Sequence, residues 1–126
     1  MQLTDYKYKC KFIAILNFRN GNMDRIERLK SFLVDSPNDS FVQHALALEY
    51  IKIGDEDAAK KLFNNVLARD ENYIGSYYHL AKLLERTGNV EGALEVYQKG
   101  MQKAQEAGDR HAYNELQMAY EELADD

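Results

Sequence analysis

The stretch LAKLLERTGNVEGALEVY, Leu80 to Tyr97, reads as two short amphipathic helices broken at a glycine, and it has a counterpart upstream in LALEYIKIGDEDAAKKLF, Leu46 to Phe63. Leu46 pairs with Leu80, Ala47 with Ala81, Gly54 with Gly88, Ala59 with Ala93 and Phe63 with Tyr97, all at one constant spacing. Each shared residue type has a physical reason. Gly54 and Gly88 fall where the first helix must stop, and glycine takes the left-handed conformation that ends a helix at little steric cost. Asp55 and Asn89 follow as N-caps of the next helix. Ala59 and Ala93 fall where the two helices of a hairpin come closest, so a larger side chain would force the backbones apart. A fixed period of this length marks a stacked array of helical hairpins.

The chain around these copies suits such an array. Its 126 residues make one domain by length, and 45% apolar with 29% charged residues describes a folded chain, while one proline and seven glycines favour helix over sheet. The net charge of −5 is unevenly spread. Residues 1 to 22 hold Lys7, Lys9, Lys11 and Arg19 against Asp5, a net +3, which leaves −8 on the remainder. An acidic body lacks the clustered cations that neutralise a phosphate backbone, so nucleic acid is not an expected partner. The basic run before Phe12 to Leu16 imitates a secretory signal, but five apolar residues are too few for its hydrophobic core and no small-residue cleavage site follows. A lone Cys10 permits no internal disulfide and no cysteine cluster for zinc. The expectation is a cytoplasmic protein with no membrane span.

The repeat period and the residues that carry it resemble the tetratricopeptide repeat family. The likeness covers two full repeats, from about Asn38 to Gln105, in Leu46, Ala47, Tyr50, Gly54, Ala59 and Phe63, then Tyr77, Leu80, Ala81, Leu84, Gly88, Ala93 and Tyr97. It implies an all-α fold, an α-α superhelix or solenoid of antiparallel hairpins. The expected organisation is a half repeat at 23–37, repeats at 38–71 and 72–105, and a capping helix with an acidic tail at 106–126. Helices are expected at about 23–35, 39–53, 56–69, 73–87, 90–107 and 109–124. Ile26, Leu29, Phe32 and Leu33 form the apolar face of the first, and Ala112, Tyr113, Leu116, Ala119, Tyr120 and Leu123 that of the cap.

Two departures from the family pattern stand out. The closing proline is Glu71 in one repeat and Gln105 in the next, and the alanine late in the second helix is Val66 and then Gly100. Helix ends there are expected to be less sharply set, with the last long helix running on toward Gly108. Pro37 does occupy a closing position, so Met23 to Asp35 reads as the second helix of an earlier repeat. Its partner is either residues 9–20, with Phe12, Ile13 and Leu16 at matching apolar positions, or is missing. In the second case residues 1–22 are an extension upstream of a likeness to short bacterial family members that begins at Met23.

By the same resemblance the first helices of each hairpin line a concave face that holds a peptide or protein segment. The residues so placed are Phe41, His44, Leu48 and Ile51, then Tyr78, Lys82, Glu85 and Arg86, then Asp109, Ala112, Leu116 and Ala119 on the cap. A homodimer that buries this apolar face against a second copy is the competing expectation. Co-chaperone members of the family clamp a terminal carboxylate with lysine, asparagine and arginine. The matching positions here are His44, Leu48, His79, Asp109 and Tyr113, and none of them fits. His44, His79 and His111 stand out of register by one residue each, about 100° of helix rotation, so no metal site is expected. No phosphate loop, nucleophile elbow or paired catalytic acids are present, and Asp55 to Asp57 sit at a helix start where acids complement the dipole. The reading is a non-enzymatic interaction module without a cofactor.

Overall fold

A computed structural model describes residues 22–125, and the expectations for residues 1–21 lie outside that range. Among the described residues six α-helices follow one another: α1 (Asn22–Asp35), α2 (Ser40–Lys52), α3 (Glu56–Arg69), α4 (Gly75–Arg86), α5 (Val90–Ala107) and α6 (Arg110–Ala124). Each falls within two residues of its expected bounds. The described residues contain no strand.

One junction recurs three times and explains the punctuation of the sequence. At Gly54, Gly88 and Gly108 the backbone turns left-handed, with φ of 84°, 87° and 72°. The next residue's N–H then reaches back to close the preceding helix: Asp55 to the Tyr50 carbonyl at 2.9 Å, Asn89 to Leu84 at 2.8 Å, Asp109 to Ala104 at 2.9 Å. That same residue opens the following helix, its side chain accepting from Ala58, Gly92 and Ala112 N–H respectively. A glycine and an Asx residue thus satisfy both helix ends within two positions. The third copy, Gly108–Asp109, sits at the α5–α6 junction rather than inside a hairpin.

The chain divides into two compact units between Leu62 and Phe63. In the first, α1 packs on α2 and the opening turns of α3 follow. Ile26, Leu46, Ala47 and Ala59 form its core. The Arg25 guanidinium meets the Glu49 carboxylate at 3.0 Å, and the Gln43 amide donates to the Pro37 carbonyl at 2.8 Å, fixing the α1–α2 turn. The expected apolar face of α1 is only partly used. Ile26 is 1% exposed and Leu29 and Leu33 are half-buried, but Phe32 is 62% exposed. Phe32 stands about 120° round the helix from Ile26, beyond the side that α2 covers.

The second unit is built on α4, α5 and α6 with the end of α3. Phe63, Val66, Tyr77, Leu80, Ala81, Leu83, Ala93, Tyr97, Ala104 and Leu116 are buried in it. Gly100 is buried too, and a Cβ added there would lie 2.7 Å from the Tyr77 Cβ and 3.1 Å from Leu116 Cδ1. The missing alanine therefore reflects close helix approach, not a loosened helix end. The end of α3 also corrects the expectation drawn from Glu71. Without a proline the turn is still fixed, because Asp70 accepts from Asn72 N–H at 3.2 Å and the Tyr77 hydroxyl donates to the Glu71 carbonyl at 2.6 Å. The Glu71 carboxylate, held below its ordinary pKa mainly by a hydrogen bond from Lys103, with the charges of Lys103 and Lys99 adding to it, ties the turn to α5. At Gln105 the expectation holds, and α5 continues to Ala107.

Candidate functional site

α4 is amphipathic in a way that leaves one row of side chains available. Tyr77, Leu80, Ala81 and Leu84 turn into the core, while Tyr78, Lys82 and Glu85, at i, i+4 and i+7, stay half-buried along one side. The structure joins these three. Lys82 Nζ stands 5.7 Å from the centre of the Tyr78 ring and 3.6 Å from Glu85 Oε2. Tyr97, whose ring is fully buried, donates its hydroxyl to the same Glu85 oxygen. Burial pushes the Tyr97 phenol well above its ordinary pKa, and the hydrogen bond and charge of Glu85 push it further. The Tyr78 ring is held edge-on by Tyr97 at 6.4 Å and by His79 at 5.6 Å. The row is a contiguous strip of one aromatic face, one ammonium and one carboxylate.

Arg86 ends the row, exposed in the last turn of α4. His79 lies beside it and stacks on Phe63 at 6.0 Å, nearly parallel. Burial lowers the His79 pKa, the Glu115 charge opposing that and the Arg86 charge adding to it. Among the described residues no three His, Cys, Asp or Glu side chains group closely enough to hold an ion. In the first unit Phe41 is 70% exposed, and His44, Leu48 and Ile51 are half-buried along α2.

Leu116 is the correction. Counting one repeat period on from Lys82 assigns it to the open face, but it is 1% exposed and packs against the close approach at Gly100, and Ala119 is buried with it. The same count from Tyr77, Leu80, Ala81 and Leu84 lands on His111, Asn114, Glu115 and Met118, all of which are exposed. α6 is rotated out of the repeat's register. The Tyr97 hydroxyl is a feature that sequence reasoning misses, because the position reads as a core slot to be filled by a ring. A signal for it exists: one period before Tyr97 stands Phe63, and one period before Glu85 stands Ile51. The hydroxyl and its acceptor are introduced together.

Helical hairpins at a constant period, with a half-open strip along a first helix, define a class of repeat scaffold. The family model for the tetratricopeptide repeat matches residues 50–117. The chain is 24% identical over 91 residues to a TPR repeat-containing protein of Pseudomonas aeruginosa, a match that takes in 72% of this chain and 87% of that one. It is 36% identical to the solution structure of a tetratricopeptide repeat domain protein from Salinibacter ruber, with 70% and 89% of the two chains covered and a TM-score of 0.67. The fold is also that of the type III secretion chaperone SycD of Yersinia enterocolitica, at 16% identity, 95% and 93% coverage and a TM-score of 0.75. This chain belongs to the tetratricopeptide repeat family, and its fold class is the all-α helical-repeat solenoid. Among the described residues no helix is long and apolar enough to cross a membrane.

Proposed function

We propose that this chain is a non-enzymatic protein-interaction module whose docking strip in the second unit is Tyr78, Lys82, Glu85 and Arg86, with Phe41, His44, Leu48 and Ile51 the corresponding strip of the first. The observation that carries the reading is the held Tyr78–Lys82–Glu85 row. A tyrosine ring already fixed by two neighbours loses little freedom on binding, and its aromatic face with flanking charges suits a peptide backbone and mixed side chains. The family supports the reading, and SycD was solved in complex with a peptide of the translocator YopD.

The test separates docking from self-burial. Tyr78→Ala and Lys82→Ala are expected to leave the solution mass of the full chain unchanged and monomeric by light scattering. Both are expected to weaken capture of peptides from a displayed random dodecapeptide library. A homodimer that dissociates on Tyr78→Ala would instead assign the strip to a second copy and sink the proposal.

A further inference from the structure

The burial of Leu116 leaves the open side of α6 to other residues. With Leu116 and Ala119 turned into the core, Met118 is 71% exposed. Glu115 and Glu122, both exposed, flank it on the same side of the helix, within about 60° of rotation. This side looks toward the α4 strip. At His79 the charge of Glu115 acts second only to burial, and Glu122 is among the charges felt by the Tyr97 phenol that donates to Glu85. α4 and α6 both pack on α5, so the two faces belong to one surface of the second unit.

The two halves of that surface differ in charge. On α4, Lys82 is already paired with Glu85, which also takes the Tyr97 hydroxyl. From Ala112 to Asp125 the chain carries Glu115, Glu121, Glu122 and Asp125 and no lysine or arginine. Met118 adds a flexible, polarisable side chain that adapts to an apolar partner. Glu115 and Glu122 stand seven residues apart, about 10 Å along the axis of α6, which is the spacing of side chains two turns apart on another helix. We infer, on the docking role proposed above for Tyr78 and Lys82, that the partner of this surface is a basic amphipathic helix. Its lysines or arginines, two turns apart, meet Glu115 and Glu122, and its apolar side faces Met118 and the Tyr78 ring. α4 supplies the anchor and α6 the choice of charge.

Three fluorescein-labelled peptides of about four helical turns test this with the full chain. They share leucine at the apolar positions and carry only lysine, only glutamine or only glutamate at the polar ones. By fluorescence anisotropy at low salt, the lysine peptide is expected to bind about tenfold tighter than the glutamine peptide, with the glutamate peptide weakest. Glu115→Gln with Glu122→Gln is expected to bring the lysine peptide to the level of the glutamine one. Glu91→Gln with Glu95→Gln removes the same charge from the exposed side of α5 and is expected to keep the preference, which sets net charge apart from the α6 face. Equal binding of the lysine and glutamine peptides overturns the choice of charge, and a preference that survives Glu115→Gln with Glu122→Gln overturns its place on α6. In either case, loss of binding in Tyr78→Ala keeps the α4 strip as a dock, so the two proposals fail separately. Binding of no peptide overturns both. A wild-type chain that dimerises and becomes monomeric on Met118→Ser overturns the inference by giving the face to a second copy.

Discussion

At the scale of the residue, two positions set the packing of the second unit. Gly100 is there because Tyr77 is there. In an exposed helix, alanine for glycine would gain about 1 kcal/mol of propensity, but here the new methyl would meet a Cβ fixed to the α4 backbone at 2.7 Å. Gly100→Ala is therefore expected to lower stability by about 1–2 kcal/mol net, as overpacking does, measured by urea unfolding. A gain in stability would show that α4 and α5 can separate freely. Tyr97 sits at a position where the preceding repeat manages with Phe63, so its ring is needed for volume and its hydroxyl for Glu85. Tyr97→Phe keeps the volume and removes the donor, with an expected cost of about 1–2 kcal/mol, the scale of a hydrogen bond to a charged acceptor that water can partly replace. In the Glu85→Gln background the cost should shrink.

At the scale of the element, α6 tests the boundary between core and surface. Were Leu116 on an open face, its truncation would spare stability. Buried as it is against Gly100, Leu116→Ala is expected to cost about 2–5 kcal/mol, enough to lower the thermal midpoint by many degrees. The helices themselves are legible in the sequence because their signals are local: a glycine to stop, an Asx residue to start, and apolar spacing between. The facing of α6 is not, because its register depends on the length of α5, and a count by whole periods assumes that every connection is alike. Here α5 runs on to Ala107 and the following turn shrinks to Gly108–Asp109, so α6 meets α5 at a different rotation. Phe32 departs from expectation for a related reason. An apolar residue predicts a face, but whether a neighbour covers it depends on packing that α1 alone does not encode. The Tyr78–Lys82–Glu85 row is legible as a set of positions. The tie that holds Glu85 is not, since that depends on a hydroxyl from another helix.

At the scale of the whole molecule, the absence of tryptophan and the nine tyrosines make alkaline stability informative. Tyr77 and Tyr97 both have pKa values raised above the ordinary 10.0, burial being the first cause in each. The folded state therefore holds these protons more tightly than the unfolded chain. Their contribution is complete below pH 10 and is lost as pH rises above it. Thermal unfolding midpoints are expected to be flat from neutrality to about pH 10 and to fall beyond it, and Tyr97→Phe should fall less steeply. The change of register at α6 has a consequence for how such a chain can lengthen. A further whole repeat inserted in frame between Glu71 and Asn72 leaves each buried position of the repeats one period from its counterpart. A copy placed on α6 by the same count would meet a face turned out of that register. In-register growth by duplication is therefore open between the two repeats, where the period is kept.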